Sequence, residues 1–186
     1  MTRLLLHGDS LSALPIKADC LITSPPYFNH IVYNNRVPPY SCKRSYSNWL
    51  KEFFDLAKKS SDLLIIIHQR HFEDIIGVKA DQKIVIKKQF PEYAYVFGSQ
   101  RYEPEIKARA PSHRDHPCPF DENMIQQLLE PLPRWYSILD PFAGVGTTLK
   151  VAQRMRFSSV IGIEKEQVYV AKSGLRSIGF SIMDIR

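Results

Sequence analysis

Three cysteines, Cys20, Cys42 and Cys118, with no C-x-x-C pair among them, make neither a disulfide framework nor a zinc site. No apolar run approaches the roughly 18 residues that a membrane span needs. The N-terminus also lacks the basic, apolar and small-residue layout of a secretory signal. A reducing cytosol is therefore the expected compartment, with no membrane partner. Acids are missing from one long stretch: between Asp19 and Glu52 there is none, while Arg36, Lys43, Arg44 and Lys51 fall there among Phe28, Tyr33, Tyr40, Tyr46 and Trp49. Basic residues interleaved with aromatics hold phosphates and stack on bases, and a net charge of +6 suits the same polyanionic partner. Internal repeats and low-complexity tracts are absent.

What is present suits an ordinary globular chain, 44% hydrophobic and 24% charged, organised as one domain over residues 1–186. Arg3–Asp9 and Asp19–Thr23 read as short strands, the second halted by Pro25 and Pro26, which cannot donate to a ladder. Phe28–Tyr46 has no period and reads as a long, basic loop, of the kind that is usually functional. Ser47 is the predicted N-cap of a helix burying Trp49, Leu50, Phe53, Phe54 and Ala57. Leu63–Ile67 is a continuous apolar run, the pattern of a strand covered on both faces. Ile84–Ile86 and Tyr93–Phe97 read as two further strands around a turn at Pro91. Ser99–Asp115 is polar and without period, a linker or recognition loop. Beyond it the pattern predicts a helix over Asp121–Glu130, a strand at Ser137–Leu139, a helix at Thr147–Phe157, a strand at Val160–Ile163 and a helix at Gln167–Ser177. That alternation predicts an α/β fold around a largely parallel sheet.

The most informative segment is Asp140-Pro141-Phe142-Ala143-Gly144-Val145-Gly146-Thr147-Thr148, between a predicted strand and helix. Gly144 and Gly146 let the backbone turn tightly and approach a ligand at the carboxyl end of a strand, where open α/β sheets bind. Twenty residues after Gly144, Glu164 ends the next strand, placed to accept hydrogen bonds from ribose hydroxyls. A third glycine is missing, since Leu149 stands in its place, and no P-loop lysine follows. Both absences disfavour a pyrophosphate. A nucleoside with an amino-acid tail fits better.

The second segment, Thr23-Ser24-Pro25-Pro26-Tyr27, also follows a strand. By itself S-P-P-Y is a common turn composition. It is also what base-amine chemistry requires. The exocyclic nitrogen of cytosine or adenine is a poor nucleophile because its lone pair is delocalised into the ring. Acceptors on its two hydrogens favour a pyramidal nitrogen and return density to it. The Ser24 hydroxyl and the Pro25 carbonyl can supply them, and Tyr27 offers a ring for a flipped-out base. Positioning, without a covalent intermediate, would then supply most of the catalysis.

These two segments resemble the amino-methyltransferases of DNA, the N6-adenine and N4-cytosine enzymes, whose motifs are (D/N/S)-P-P-(Y/F) and D-P-F-x-G-x-G-T. The catalytic motif comes first here, which resembles the circularly permuted β group. The likeness extends to most of the chain. His116-Pro117-Cys118-Pro119-Phe120 resembles the family's HP-x-PF segment at the methionine end of the cofactor site. Glu92–Phe97 is similar to its HEYILVF strand, Gly162-Ile163-Glu164 with Tyr169 to the motif after the next strand, and Gly8-Asp9 to its N-terminal acidic turn.

The resemblance implies a Rossmann-like class I methyltransferase fold, a mostly parallel sheet with one antiparallel strand. S-adenosyl-L-methionine would be the donor, S-adenosyl-L-homocysteine the product, and double-stranded DNA the partner, met at the nucleoid. It implies cofactor contacts from Asp9, Pro117, Phe120, Asp140, Phe142, Ala143, Gly144, Gly146, Thr147 and Glu164, and catalysis by Ser24, Pro25, Pro26 and Tyr27. Serine in the first catalytic position and Pro-Phe after His116 resemble the N4-cytosine members, the alternatives being adenine N6 and a non-catalytic DNA-binding partner of the same fold. The usual recognition slot is reduced to about residues 98–115. DNA contacts are therefore expected to be shared between the basic loop at about 28–46, with Arg36, Lys43 and Arg44, and Arg101, Lys107, Arg109 and Arg114. A homodimer is the other route to a wider DNA surface. His68 and His71 have no counterpart in the resemblance, and without a third ligand in register they read as an exposed polar turn rather than a metal site.

Overall fold

A computed structural model describes residues 2–28, 42–88, 92–108 and 120–185. In chain order the elements are β1 (Thr2–His7), α1 (Ser10–Ala13), β2 (Cys20–Thr23), α2 (Lys43–Ser60), β3 (Leu63–His68), α3 (Phe72–Ile76), β4 (Gln82–Lys87), β5 (Glu92–Phe97), β6 (Glu105–Lys107), α4 (Glu122–Leu129), β7 (Ser137–Asp140), α5 (Thr147–Arg154), β8 (Ser159–Glu164), α6 (Gln167–Lys172), a 3-10 turn (Leu175–Ile178) and β9 (Ser181–Asp184). Among the described residues the strands form one sheet in the order β6-β4-β5-β3-β2-β7-β8-β1-β9. Every neighbouring pair is parallel except those made by β5, which runs against both β3 and β4. The expected fold class, an α/β fold with a mostly parallel sheet and one antiparallel strand, is what the chain adopts.

The period-two alternation of strands explains how both faces are covered. Cys20, Ile22, Ile65 and Ile67 point to one face, where Ile125, Leu128, Leu129, Leu149 and Val151 of α4 and α5 pack on them. Leu21, Leu64 and Ile66 point to the other, against Leu50, Phe53, Phe54 and Ala57 of α2. All six residues of β3 are buried, the five of Leu63–Ile67 forming the apolar run of a strand covered on both faces and His68 ending it. Each such side chain contributes about 1.5–3 kcal/mol by leaving water. A charge at Ile66 would forfeit that and add the cost of an unpaired buried ion.

Several boundaries differ from the sequence pattern, each for a local reason. The helix predicted from Ser47 begins at Lys43, capped by Cys42, whose amide donates to the Ser45 hydroxyl at 3.1 Å. That contact is the returning arm of a capping box, so Lys43, Arg44 and Tyr46 are helical rather than loop. Within the segment read as an aperiodic loop, Glu105–Lys107 forms the edge strand β6 beside β4. The helix predicted over Thr147–Phe157 stops at Arg154, two residues before Arg156 with φ of 62°. The helix predicted over Gln167–Ser177 breaks at Gly174, whose φ of 65° ends α6 before the 3-10 turn. The short helix α3 and the last strand β9 had no sequence signal. β9 is a four-residue edge strand aligned beside β1.

Candidate active site

Because the strands other than β5 run the same way, their carboxyl ends share one edge of the sheet. Asp140 ends β7, Glu164 ends β8, and Asp9 lies just beyond β1. Ser24 lies just beyond β2. In sheet order β2-β7-β8-β1 these are four adjacent positions, spanning about 14 Å at roughly 4.8 Å per strand. The two motifs singled out in the sequence are thus neighbours. A hydrogen bond joins them: the Thr23 hydroxyl donates to Asp140 Oδ1 at 2.6 Å. Burial pushes the Asp140 carboxyl up to about 6, against the pull of the Thr23 hydroxyl and the Phe142 amide, which donates to the same oxygen.

The glycine turn is built largely from its own neighbourhood. Gly144 and Gly146 take φ of 54° and 79°, a left-handed conformation that side chains disfavour. Gly146 is the N-cap of α5, and its amide donates to the Ala143 carbonyl at 2.8 Å. Glu164 accepts from the Gly144 amide through Oε2 and from the Glu166 amide through Oε1, both at 2.7 Å. Burial raises its pKa, opposed by those two amides. Its fixed spacing from Gly144 thus has a structural purpose: the carboxylate shapes the turn. The missing third glycine is compensated from the next strand. Gly162 leaves the space in which Leu149 packs, and a Cβ there would sit 2.5 Å from Leu149 Cδ1. Ala143 is buried, Thr147 opens α5, and Phe142 is half-buried against Trp49 and Phe53 of α2, with ring centroids at 5.8 and 5.0 Å. The Ser10 hydroxyl, which had no sequence signal, donates to the Pro141 carbonyl.

Asp9 caps α1, accepting from the Leu11 and Ser12 amides, and pairs with Lys165 at 2.9 Å. Burial works against its charge, but the Lys165 ammonium and the two amides hold its pKa below the ordinary value. It stands beside Glu164 because β1 and β8 are in register, His7 opposite Glu164.

The S-P-P-Y turn is held from farther away. The Tyr46 hydroxyl in the first turns of α2 bonds the Pro26 carbonyl at 3.1 Å and His68 Nε2 at 2.8 Å. Both contacts are satisfied together when Tyr46 donates to the carbonyl and His68 donates through Nε2, a tautomer assigned from the network. Burial pushes His68 down to about 3, so its ring is neutral. Its edge meets Tyr27, ring centroids 4.7 Å apart. Tyr27 itself is only 7% exposed. Its hydroxyl accepts from Ser24 Oγ at 3.2 Å and donates to Glu92 Oε1 at 3.1 Å. Glu92 begins β5, and because β5 is antiparallel, its start lies on the edge where the other strands end. Sequence reasoning gave Tyr46, His68 and Glu92 no site role. The sequence pattern marks Tyr46 only as one of the aromatics of the acid-free basic stretch, and Glu92 only as the first residue of the strand similar to HEYILVF. It marks His68 only as part of an exposed polar turn, whereas the residue is buried at the end of β3. His71, by contrast, is exposed and paired with Asp74 at 3.2 Å, so the two histidines do not converge.

The cations expected to meet DNA are distributed unevenly. Lys43 and Arg44 are exposed in the first turn of α2, within three residues of Tyr46, whose hydroxyl reaches the S-P-P-Y turn. Lys107 ends β6 on the same edge, four strand positions from β2, or about 19 Å. Arg101 is not brought to the site. It follows β5, whose antiparallel course delivers it to the opposite edge, where its guanidinium bonds the Gly98 and Gln100 carbonyls. Phe120 is half-buried against the core face carrying α4. Arg36, Arg109, Arg114 and Pro117 lie outside the described residues. Among the described residues no cluster of three metal-ligating side chains occurs, and no helix is long and apolar enough to cross a membrane.

The arrangement has counterparts among solved structures. The PvuII DNA methyltransferase (cytosine-N4-specific) superposes with a TM-score of 0.70 at 15% identity, covering 95% of this chain and 87% of that one. A putative DNA modification methylase from Thermus thermophilus, TTHA0409, complexed with S-adenosyl-L-methionine, gives 0.67 at 18% identity, covering 99% and 98%. The M1.HpyAVI–SAM complex gives 0.63 at 18%, covering 94% and 98%. At these identities the likeness establishes the fold. No curated protein matches the chain. The model of the N6/N4 methyltransferase family, described as DNA methylase, matches residues 71–174, which include the glycine turn and Glu164. With more than half its length matched, this chain belongs to the DNA methylase family.

Proposed function

We propose that the protein is an S-adenosylmethionine-dependent DNA methyltransferase that acts directly on the exocyclic amine of a flipped-out base, cytosine N4. The observation that carries this reading is the Thr23–Asp140 hydrogen bond, which fixes the S-P-P-Y turn beside the glycine turn at adjacent strand ends. S-adenosylmethionine supplies, when bound, an electrophilic methyl group on a sulfonium. The residues along the glycine turn suit it chemically. Left-handed glycines bring backbone close, the half-buried Phe142 offers an aromatic wall, and two carboxylates, Asp9 and Glu164, stand at adjacent strand ends without a phosphate cradle. In this reading Gly144–Thr147 line the methionine side, and Asp9 and Glu164 approach opposite ends of the adenosine.

Ser24 Oγ and the Pro25 carbonyl accept the two hydrogens of the target amine. Tyr46 holds the adjoining Pro26 carbonyl, so the turn cannot relax when a base enters. Catalysis then rests on preorganised acceptors whose contribution grows as the nitrogen becomes pyramidal. Cytosine N4 is favoured by the neutral hydroxyl at position 24 and by Pro-Phe after His116 in the sequence, both of which resemble the N4-cytosine members. In this chain the catalytic turn precedes the glycine turn, the order of the permuted β group. Lys43 and Arg44 at the catalytic edge hold phosphates of double-stranded DNA, with Lys107 farther out on the same edge. Arg36, Arg109 and Arg114 extend that surface, and recognition shared among so few side chains implies a short target. The decisive experiment incubates unmethylated DNA with enzyme and donor, digests it to nucleosides and identifies the product by mass. N4-methylcytosine is the expected result. N6-methyladenine alone would replace the base assignment, and no methylated nucleoside would reject the activity.

A further inference from the structure

Ser24 can serve as an acceptor only if its own proton is directed elsewhere. A free hydroxyl rotates, and turned toward the amine it would present a hydrogen to a hydrogen. The side chains behind the turn remove that freedom. Glu92 is 9% exposed and its Oε2 is ion-paired with Lys88 Nζ at 2.5 Å. A carboxylate so paired can only accept. The Tyr27 hydroxyl, 3.1 Å from Glu92 Oε1, must therefore donate to it. With its hydrogen committed, the Tyr27 oxygen faces Ser24 as an acceptor, and the Ser24 hydroxyl donates at 3.2 Å. Both remaining lone pairs of Ser24 are left pointing away from this chain of bonds.

We propose that Glu92 is a positioning residue which, through the Tyr27 hydroxyl, locks Ser24 as an obligate hydrogen-bond acceptor for the target amine. The inference rests on the methyltransferase reading above. It is not a property of the motif as such, since that motif admits Phe where Tyr27 stands, and Phe cannot relay. It also gives Tyr27 a role that suits its burial. A ring needed only for stacking has no use for two hydrogen bonds, and the antiparallel course of β5 places Glu92 where it can supply the acceptor for one of them.

The test compares Tyr27→Phe, Glu92→Gln, their double variant, and each single change in a Ser24→Ala background. Tyr27→Phe keeps the ring and removes only the relay. Glu92→Gln is nearly isosteric, but its amide can donate to Tyr27 and reverse the chain, turning the Ser24 proton outward. Each single variant is expected to lose about tenfold or more in kcat, with KM for DNA and Kd for donor within about twofold of wild type. Fluorescence of a base analogue beside the target should report unchanged base extrusion. The double variant should be no worse than the weaker single one, and neither change should matter once Ser24 is Ala, because one chain is broken once. Wild-type kcat in Tyr27→Phe, or losses that multiply in the double variant, would overturn the proposal while leaving the methyltransferase reading intact. A wild-type enzyme that methylates no base amine would overturn both.

Discussion

The two halves of the site are fixed in different ways. Inside the glycine turn the bonds are local, Phe142 to Asp140 and Gly146 to Ala143, two and three residues apart. The backbone amide of Gly144 is then tied to Glu164 at the end of the next strand, while Thr23 and Ser10 reach Asp140 and Pro141 from far along the chain. The catalytic turn makes its defining contacts with Tyr46, 20 residues on, and Glu92, 65 residues on from Tyr27. One half is a local motif and can be read as such. The other is four ordinary turn residues made special by side chains that three different elements deliver to them. The contrast teaches that a turn's sequence states which groups are available, whereas its surroundings decide which lone pairs and protons face the substrate.

Substitutions can break that contrast, beginning with the largest effect. Ser24→Ala removes one of the two proposed acceptors and should lower kcat by about a hundredfold or more, with donor affinity unchanged by calorimetry. Equal losses in kcat and donor affinity would mean that the halves are not separable.

Asp140→Asn probes the joint between the halves. The Asp140 carboxyl sits at about 6 in the fold against an ordinary value of 3.8, so the native state binds more protons between those values. Its contribution to stability is fully present below pH 3.8 and lost as pH rises through about 6, at roughly 1.4 kcal/mol per pH unit within the window. Asparagine cannot ionise. Urea unfolding across that range should therefore show the variant gaining on wild type as pH rises, by about 3 kcal/mol in total, then running parallel above it. Curves parallel throughout would remove the buried-carboxylate account.

Glu164→Ala sharpens the comparison from the glycine side. It frees the Gly144 and Glu166 amides and, in the proposed reading, takes an acceptor from the ribose, so donor binding should weaken by about 1–3 kcal/mol. Unchanged affinity would sink the ribose assignment and leave Glu164 a purely structural part. Neutralising Lys43 and Arg44 together should flatten the salt dependence of DNA binding by about two phosphate units, without altering donor affinity. An unaltered slope would place the phosphates elsewhere. The smallest effect is expected for Tyr46→Phe, which releases the Pro26 carbonyl. It should cost about 1 kcal/mol of stability and a few-fold in kcat, with donor binding intact. A loss of donor binding instead would show that α2 acts mainly through Trp49 and Phe53 on Phe142.

By itself the sequence determined the strand-turn-helix frame, both turns and the acid after the glycines, whereas the start of α2 at Lys43 and Arg44 came from the structure. Period-two and helical patterns, glycine and proline are signals of backbone conformation, and these features are backbone features. Only the tertiary structure decided that Thr23 and Asp140 meet, that Glu92 and His68 join the catalytic turn, and that Arg101 leaves it. Those facts follow from strand order and from the reversed course of β5. A strand's direction is set by which neighbours bury its two faces, and that competition involves the whole sheet rather than any one segment.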